Sequence, residues 1–164
     1  MSTNSLKKVS IAAGVVGVMA QTASTAQAQG VDELIAGIKS GSAEKRTKAW
    51  QSAGEVGAPA VKPLATVMTD DNLEVARAAK RALWKIVRHT GRPKANKEKR
   101  AVEKELTGLL GRKQPVAVRR EVLWMLSEIG ARNSIKPIAR LMRNEDLRED
   151  ARMEIGRASC RERV

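Results

Sequence analysis

A chain of 164 residues with 42% apolar and 30% charged residues is long enough for one domain, and its apolar content excludes wholesale disorder. Lys and Arg total 31 against 18 Asp and Glu, a net charge of +13. One His and one Cys exclude a self-contained zinc site or disulfide framework, and three Trp with no Phe or Tyr argue against base-stacking platforms.

Residues 1–28 read as a secretory leader cleaved after Ala28. Lys7 and Lys8 give the positive start, Ile11 to Ala20 the apolar stretch, and Ala26-Gln27-Ala28 the small-x-small cleavage site. An apolar run of about ten residues falls short of the roughly twenty that cross a bilayer. Gly14 and Gly17 also make it a poor helix in water. No Cys stands near the cleavage point and no twin Arg precedes the run. General export to the periplasm or exterior is expected, with no membrane span in the mature chain.

Asp32 to Lys39 predicts a short first helix with Leu34, Ile35 and Ile38 on its apolar face. One apolar frame then recurs, with apolar residues three, seven and ten positions past a start. From Arg46 it gives Ala49, Ala53 and Val56; from Ala76, Ala79, Leu83 and Ile86; from Arg119, Val122, Leu126 and Ile129. From Arg148 it gives Ala151 and then Ile155. Steps of three and four keep each set on one helical face. Between these helices lies a second set: Val61, Leu64, Ala65 and Met68; Val102, Leu106, Leu109 and Leu110; Ile135, Ile138, Ala139 and Met142. VKPLATVM (61–68) and IKPIARLM (135–142) are near copies, with Pro63 and Pro137 in matching places. Gly57 and Gly130 stand where a left-handed residue would end a helix. Asp70-Asp71-Asn72 and Asn144-Glu145-Asp146 offer caps for the helices that follow. No stretch alternates with period two, so no sheet is predicted. Such helix–turn–helix units bury their apolar faces by stacking on their neighbours.

The segments GAPAVKPLATVMTDDNLEVARAAKRALWKI (57–86), VRREVLWMLSEIG (118–130) and IKPIARLMRNEDLREDARM (135–153) together resemble the HEAT-repeat family, in particular its short bacterial PBS-lyase HEAT-like form. The resemblance implies an all-α fold, a right-handed α-solenoid of about three to four antiparallel helix pairs over 31–153. It implies no single function, because the family serves many partners. Two features depart from the pattern. Frame starts are 30, 43 and 29 residues apart, which marks an insertion of roughly a dozen residues around Arg88 to Lys99, read as a flexible loop. After Met153 the helical pattern breaks, and EIGRASCRERV (154–164) resembles translated read-through into a short-read sequencing adapter beginning AGATCGGAAGAGC. Natural sequence is then expected to stop near Met153, and Cys160 carries no weight as a thiol.

Members of the resembled family that are metal hydroxylases carry His-Glu dipeptides on their helices; here Thr90 follows His89, so no metal is implied. His89 reads as a partly solvated residue at a helix C-terminus. No Gly-rich phosphate loop exists, and one His with a discounted Cys builds no nucleophilic triad. Glu103 with Glu105, and Asp70 with Asp71, read as solvated faces and caps rather than catalytic pairs. No catalytic residue, cofactor or metal is therefore expected. Trp50, Trp84 and Trp124 are expected to pack in the core or between repeats.

Charge is the most informative feature left. Residues 77–120 carry 15 basic and 3 acidic side chains, whereas 29–76 carry 5 and 7, and 121–153 carry 6 of each. Arg77, Lys80, Arg81, Lys85 and Arg88 step along one helix face, followed by Arg92, Lys94, Lys97, Lys99 and Arg100. These ten residues are the candidate binding surface for an acidic protein or a polyanionic envelope component. The plainer reading is a solvated face that keeps the chain soluble. The expected function is a non-catalytic, monomeric extracytoplasmic scaffold. Two alternatives are a nucleic-acid-binding repeat protein, whose affinity would fall steeply with salt, and the docking arm of a larger enzyme.

Overall fold

The computed structural model of the chain describes residues 28–130 and 132–161, and among these every regular element is helical. The leader expected over 1–28 lies outside them except for Ala28, which is already helical. Helix α1 covers 28–38. It is followed by α2 (Ala43–Val56), a 3-10 turn (Ala58–Ala60), α3 (Val61–Val67), α4 (Leu73–Thr90), α5 (Asn96–Gly108), α6 (Val116–Ile129), α7 (Arg132–Leu141) and α8 (Arg148–Arg161).

Local chemistry sets several of these boundaries. Ser42 starts α2 by accepting from the Lys45 amide, and Asn72 starts α4 by accepting from the Glu74 and Val75 amides. At α8 the main chain does this work: the Asn144 carbonyl accepts from both Leu147 and Arg148. Gly57 adopts φ 70°, which only glycine takes without strain, and turns the chain into the 3-10 segment. Gly130 differs from expectation. It is extended, with φ −60° and ψ 147°, and glycine is needed there for space. A Cβ would collide with the Leu126 carbonyl oxygen and the Ser134 hydroxyl. The near-copy proline segments also diverge. Pro63 is the third residue of α3, whereas Pro137 is the sixth of α7 and lies inside that helix.

The recurring frame forms the core. Ala53, Ala79, Leu83, Ile86, Val122, Leu126, Ile129 and Ala151 are all buried, as are Val61, Leu64, Ala65, Val102, Leu106, Leu109, Leu110 and Ile138 of the second set. Met142 departs from its set and is exposed, because it sits in the turn beyond the end of α7. Helices α2, α4, α6 and α8 touch in succession, and so do α3, α5 and α7. The two rows are sewn together by α3 on α4, α4 on α5, α5 on α6 and α7 on α8. Ion pairs bridge neighbours within each row: Lys62 to Glu105 at 2.8 Å joins α3 and α5, and Arg120 to Asp150 at 3.0 Å joins α6 and α8.

Two sequence expectations need correction. The insertion is not a dozen-residue loop: α4 continues to Thr90 and α5 begins at Asn96, so only 91–95 lies between helices. The extra residues lengthen the two helices, and their apolar positions Val87, Val102 and Leu106 are buried. Nor does the helical pattern break at Glu154. Helix α8 runs on to Arg161, with Ile155 half-buried four residues past the buried Ala151. Four residues return to the same helical face.

Candidate anion-binding groove

Helix α4 is strongly two-faced. Val75, Ala78, Ala79, Ala82, Leu83, Ile86 and Val87 are buried. Arg77, Lys80, Arg81, Lys85 and Arg88 are exposed along its other side. Helices α2 and α4 pack against each other, and a small residue of α2, Gly54, lies at their seam. At Gly54 a Cβ would lie 3.0 Å from the His89 Cβ and Cγ, so the imidazole of α4 rests directly on the α2 backbone.

Beside this seam opens a groove of about 790 Å³ lined by Trp50, Arg77, Lys80, Arg81, Trp84, Lys85, Arg88 and His89. All five predicted stripe cations line it. The second half of the predicted surface does not. Arg92 and Lys94 stand in the short 91–95 connection, and Lys97, Lys99 and Arg100 ride on α5. Arg92 is turned to local partners, donating to the His89 carbonyl at 2.7 Å and pairing with Glu98 at 2.8 Å. Lys94 takes a positive φ of 68° to turn the chain toward α5. The ten basic residues are thus one groove wall and a separate basic flank.

Within the wall the cations are not equivalent. Arg77 pairs with Glu74 one turn away at 3.1 Å. Lys80 pairs with Glu121 of α6 at 2.7 Å, and the same carboxylate accepts from the Trp84 indole N–H at 2.6 Å. Glu121 is buried, so both of its oxygens are spent inside the protein. Arg81 and Lys85 have no carboxylate partner among the described residues. The Arg88 guanidinium lies 5.6 Å from the centroid of the Trp84 ring, in cation–π range. One-sided charge on a concave wall focuses the field and raises the local concentration of anions.

Sequence reading missed Trp50, Trp84 and His89 as groove residues. The available signal was Gly54, whose missing side chain gives His89 its seat. The Trp residues also split: Trp50 and Trp84 are half-buried against the core as expected, but Trp124 is 44% exposed. Trp124 instead faces a smaller surface recess with Asp150, Met153, Glu154 and Arg157. Glu103 is buried on α5, which corrects its reading as a solvated face. Among the described residues no three His, Cys, Asp or Glu side chains come together to hold a metal ion, and no helix is long and apolar enough to cross a membrane.

The chain matches no protein-family model and no curated protein. Among solved structures, the crystal structure of an engineered protein is 19% identical to it, with 82% of this chain and 64% of that one covered and a TM-score of 0.41. The chain therefore spans less than two thirds of that structure, and a likeness at this score says nothing of fold or function.

Proposed function

We propose that this protein is a non-catalytic extracytoplasmic scaffold whose helix pairs stack as HEAT-like repeats in a right-handed α-solenoid and hold an anionic partner in the α2–α4 groove. The solenoid reading is supported by the two rows of successive helix contacts and by the shared apolar pattern of segments 61–68 and 135–142. The binding reading is carried by one observation: five cations, three of them without a carboxylate partner among the described residues, converge with two Trp on a single concave wall. A merely solubilising charge would be spread over the surface with both signs mixed.

The test is retention on an immobilised polyanion, comparing two variants of equal charge. Reversing Arg81, Lys85 and Arg88 to Glu should abolish retention at physiological salt. Reversing Arg100, Arg112 and Lys113, which lie outside the groove, should weaken it only through the lower net charge. Equal loss in both variants would reduce the groove to bulk charge and defeat the proposal.

A further inference from the structure

We infer that the occupant of this groove is an acidic polysaccharide, a chain of sugar rings bearing carboxylate or sulfate groups, with a ring face against Trp50 and acid groups on Arg81, Lys85 and Arg88. The inference rests on reading the groove as an anion-binding surface and adds the chemistry of the ligand. Arg81, Lys85 and Arg88 are separated by four and three residues, so at about 1.5 Å rise per residue they sit roughly 4.5–6 Å apart along the helix. A line of charge at that interval suits a polymer with an acid group on successive units better than a single small anion. The wall is concave, which suits a chain and not the plane of a bilayer.

Trp50 decides among polymers. It is half-buried, lines the groove, and its indole N–H has no partner among the described residues. A flat apolar face with a free donor at its edge fits a sugar ring, which offers C–H groups on its faces and hydroxyls on its rim. An acidic peptide offers a ring only where an aromatic or proline residue interrupts its acidic run, whereas a polysaccharide offers one at every unit. A single-stranded nucleic acid stacks successive bases on successive aromatics. Here Trp84 is already engaged by Arg88 on its ring and by Glu121 at its N–H, and the chain has no Phe or Tyr to continue a stack.

The experiment titrates the full chain with a short oligogalacturonate, an oligoglutamate and an oligothymidylate of matched charge, read by calorimetry and Trp fluorescence. The oligogalacturonate should bind at least about tenfold more tightly than the other two. The double substitution Arg81→Gln/Lys85→Gln should lower its affinity about tenfold, and these side chains are exposed, so the fold is retained. Trp50→Leu should lower it by a similar factor, with Trp50→Phe, which keeps a ring, recovering part of the loss. Arg112→Gln/Lys113→Gln should leave the preference for oligogalacturonate unchanged. Equal affinity for the three probes, or insensitivity to Trp50→Leu in a folded variant, would overturn the polysaccharide assignment while leaving an anion groove in place. Failure of all three probes to bind would overturn the groove reading as well.

Discussion

Glu121 is one carboxylate shared by two neighbours on another helix, Lys80 and Trp84. Because it is buried, losing it strands the indole N–H beside a half-covered ammonium group. Glu121→Ala should therefore cost about 1–3 kcal/mol of stability, measured by urea unfolding. A plainer core residue gives the comparison. Leu126 is 2% exposed in the last turn of α6, and Leu126→Ala should cost about 2–5 kcal/mol; a loss well below one would mean that α6 is not packed as described. Leu126 was legible in the sequence, since the three-four-three spacing of its frame fixes the buried side of the helix. Glu121 was not. Its partners lie 37 and 41 residues away, and which side chains meet across a seam depends on how helices stack, which periodicity within one helix does not encode. Gly130 was half legible: a small residue was expected there, but for its backbone angle rather than for the room it leaves the Leu126 carbonyl.

At the scale of elements, the two prolines make a controlled pair. Pro63 occupies the first turn of α3, where an amide would have no intrahelical partner. Pro137 sits inside α7 and removes a hydrogen bond to the Asn133 carbonyl. Pro137→Ala should raise Tm, because an interior proline costs up to about 3 kcal/mol, more than the gain in unfolded-chain entropy takes back. Pro63→Ala should lower stability by about 0.4–1 kcal/mol through that entropy alone. Thermal unfolding followed by circular dichroism distinguishes the two signs. Helix α8 offers a second check. It packs on α6 and α7, with Ala151 and Glu154 buried among its described side chains and Leu147 buried just before its first residue. Its amides beyond Asp146 should exchange with solvent faster than those of α4, which is covered by α2, α3, α5 and α6. Uniform protection across both helices would contradict that ordering. The elements themselves were legible from periodicity and caps. The insertion was misread because a polar, basic stretch resembles a loop by composition, while Val102 and Leu106 supply enough burial to hold it as helix.

At the scale of the whole molecule, the all-helical class was legible from the absence of period-two alternation, and the location of charge from counting. The groove was not, since Trp50 and the stripe are brought together only by the close approach of α2 and α4. Packing the basic residues of 77–120 onto adjacent helices makes the native state repel itself. Raising ionic strength from about 0.01 M to about 0.15 M shortens the screening length from roughly 30 to 8 Å. Tm should rise by a few degrees over that range, and the rise should shrink in the Arg81→Gln/Lys85→Gln variant. A Tm that falls with salt would show that the ion pairs outweigh the repulsion.

The buttressing of the groove wall from α6 makes the site larger than its lining. A fragment ending at Leu110 would keep all eight groove side chains and lose Glu121, the group that fixes Lys80 and Trp84 in place. On the proposed reading of the groove, affinity therefore depends on α6 as well as on the two helices that line it. The same coupling runs in reverse: a ligand that holds the wall in shape also tightens the seam between α4 and α6, so occupancy on one helix is felt as resistance to unfolding on the next.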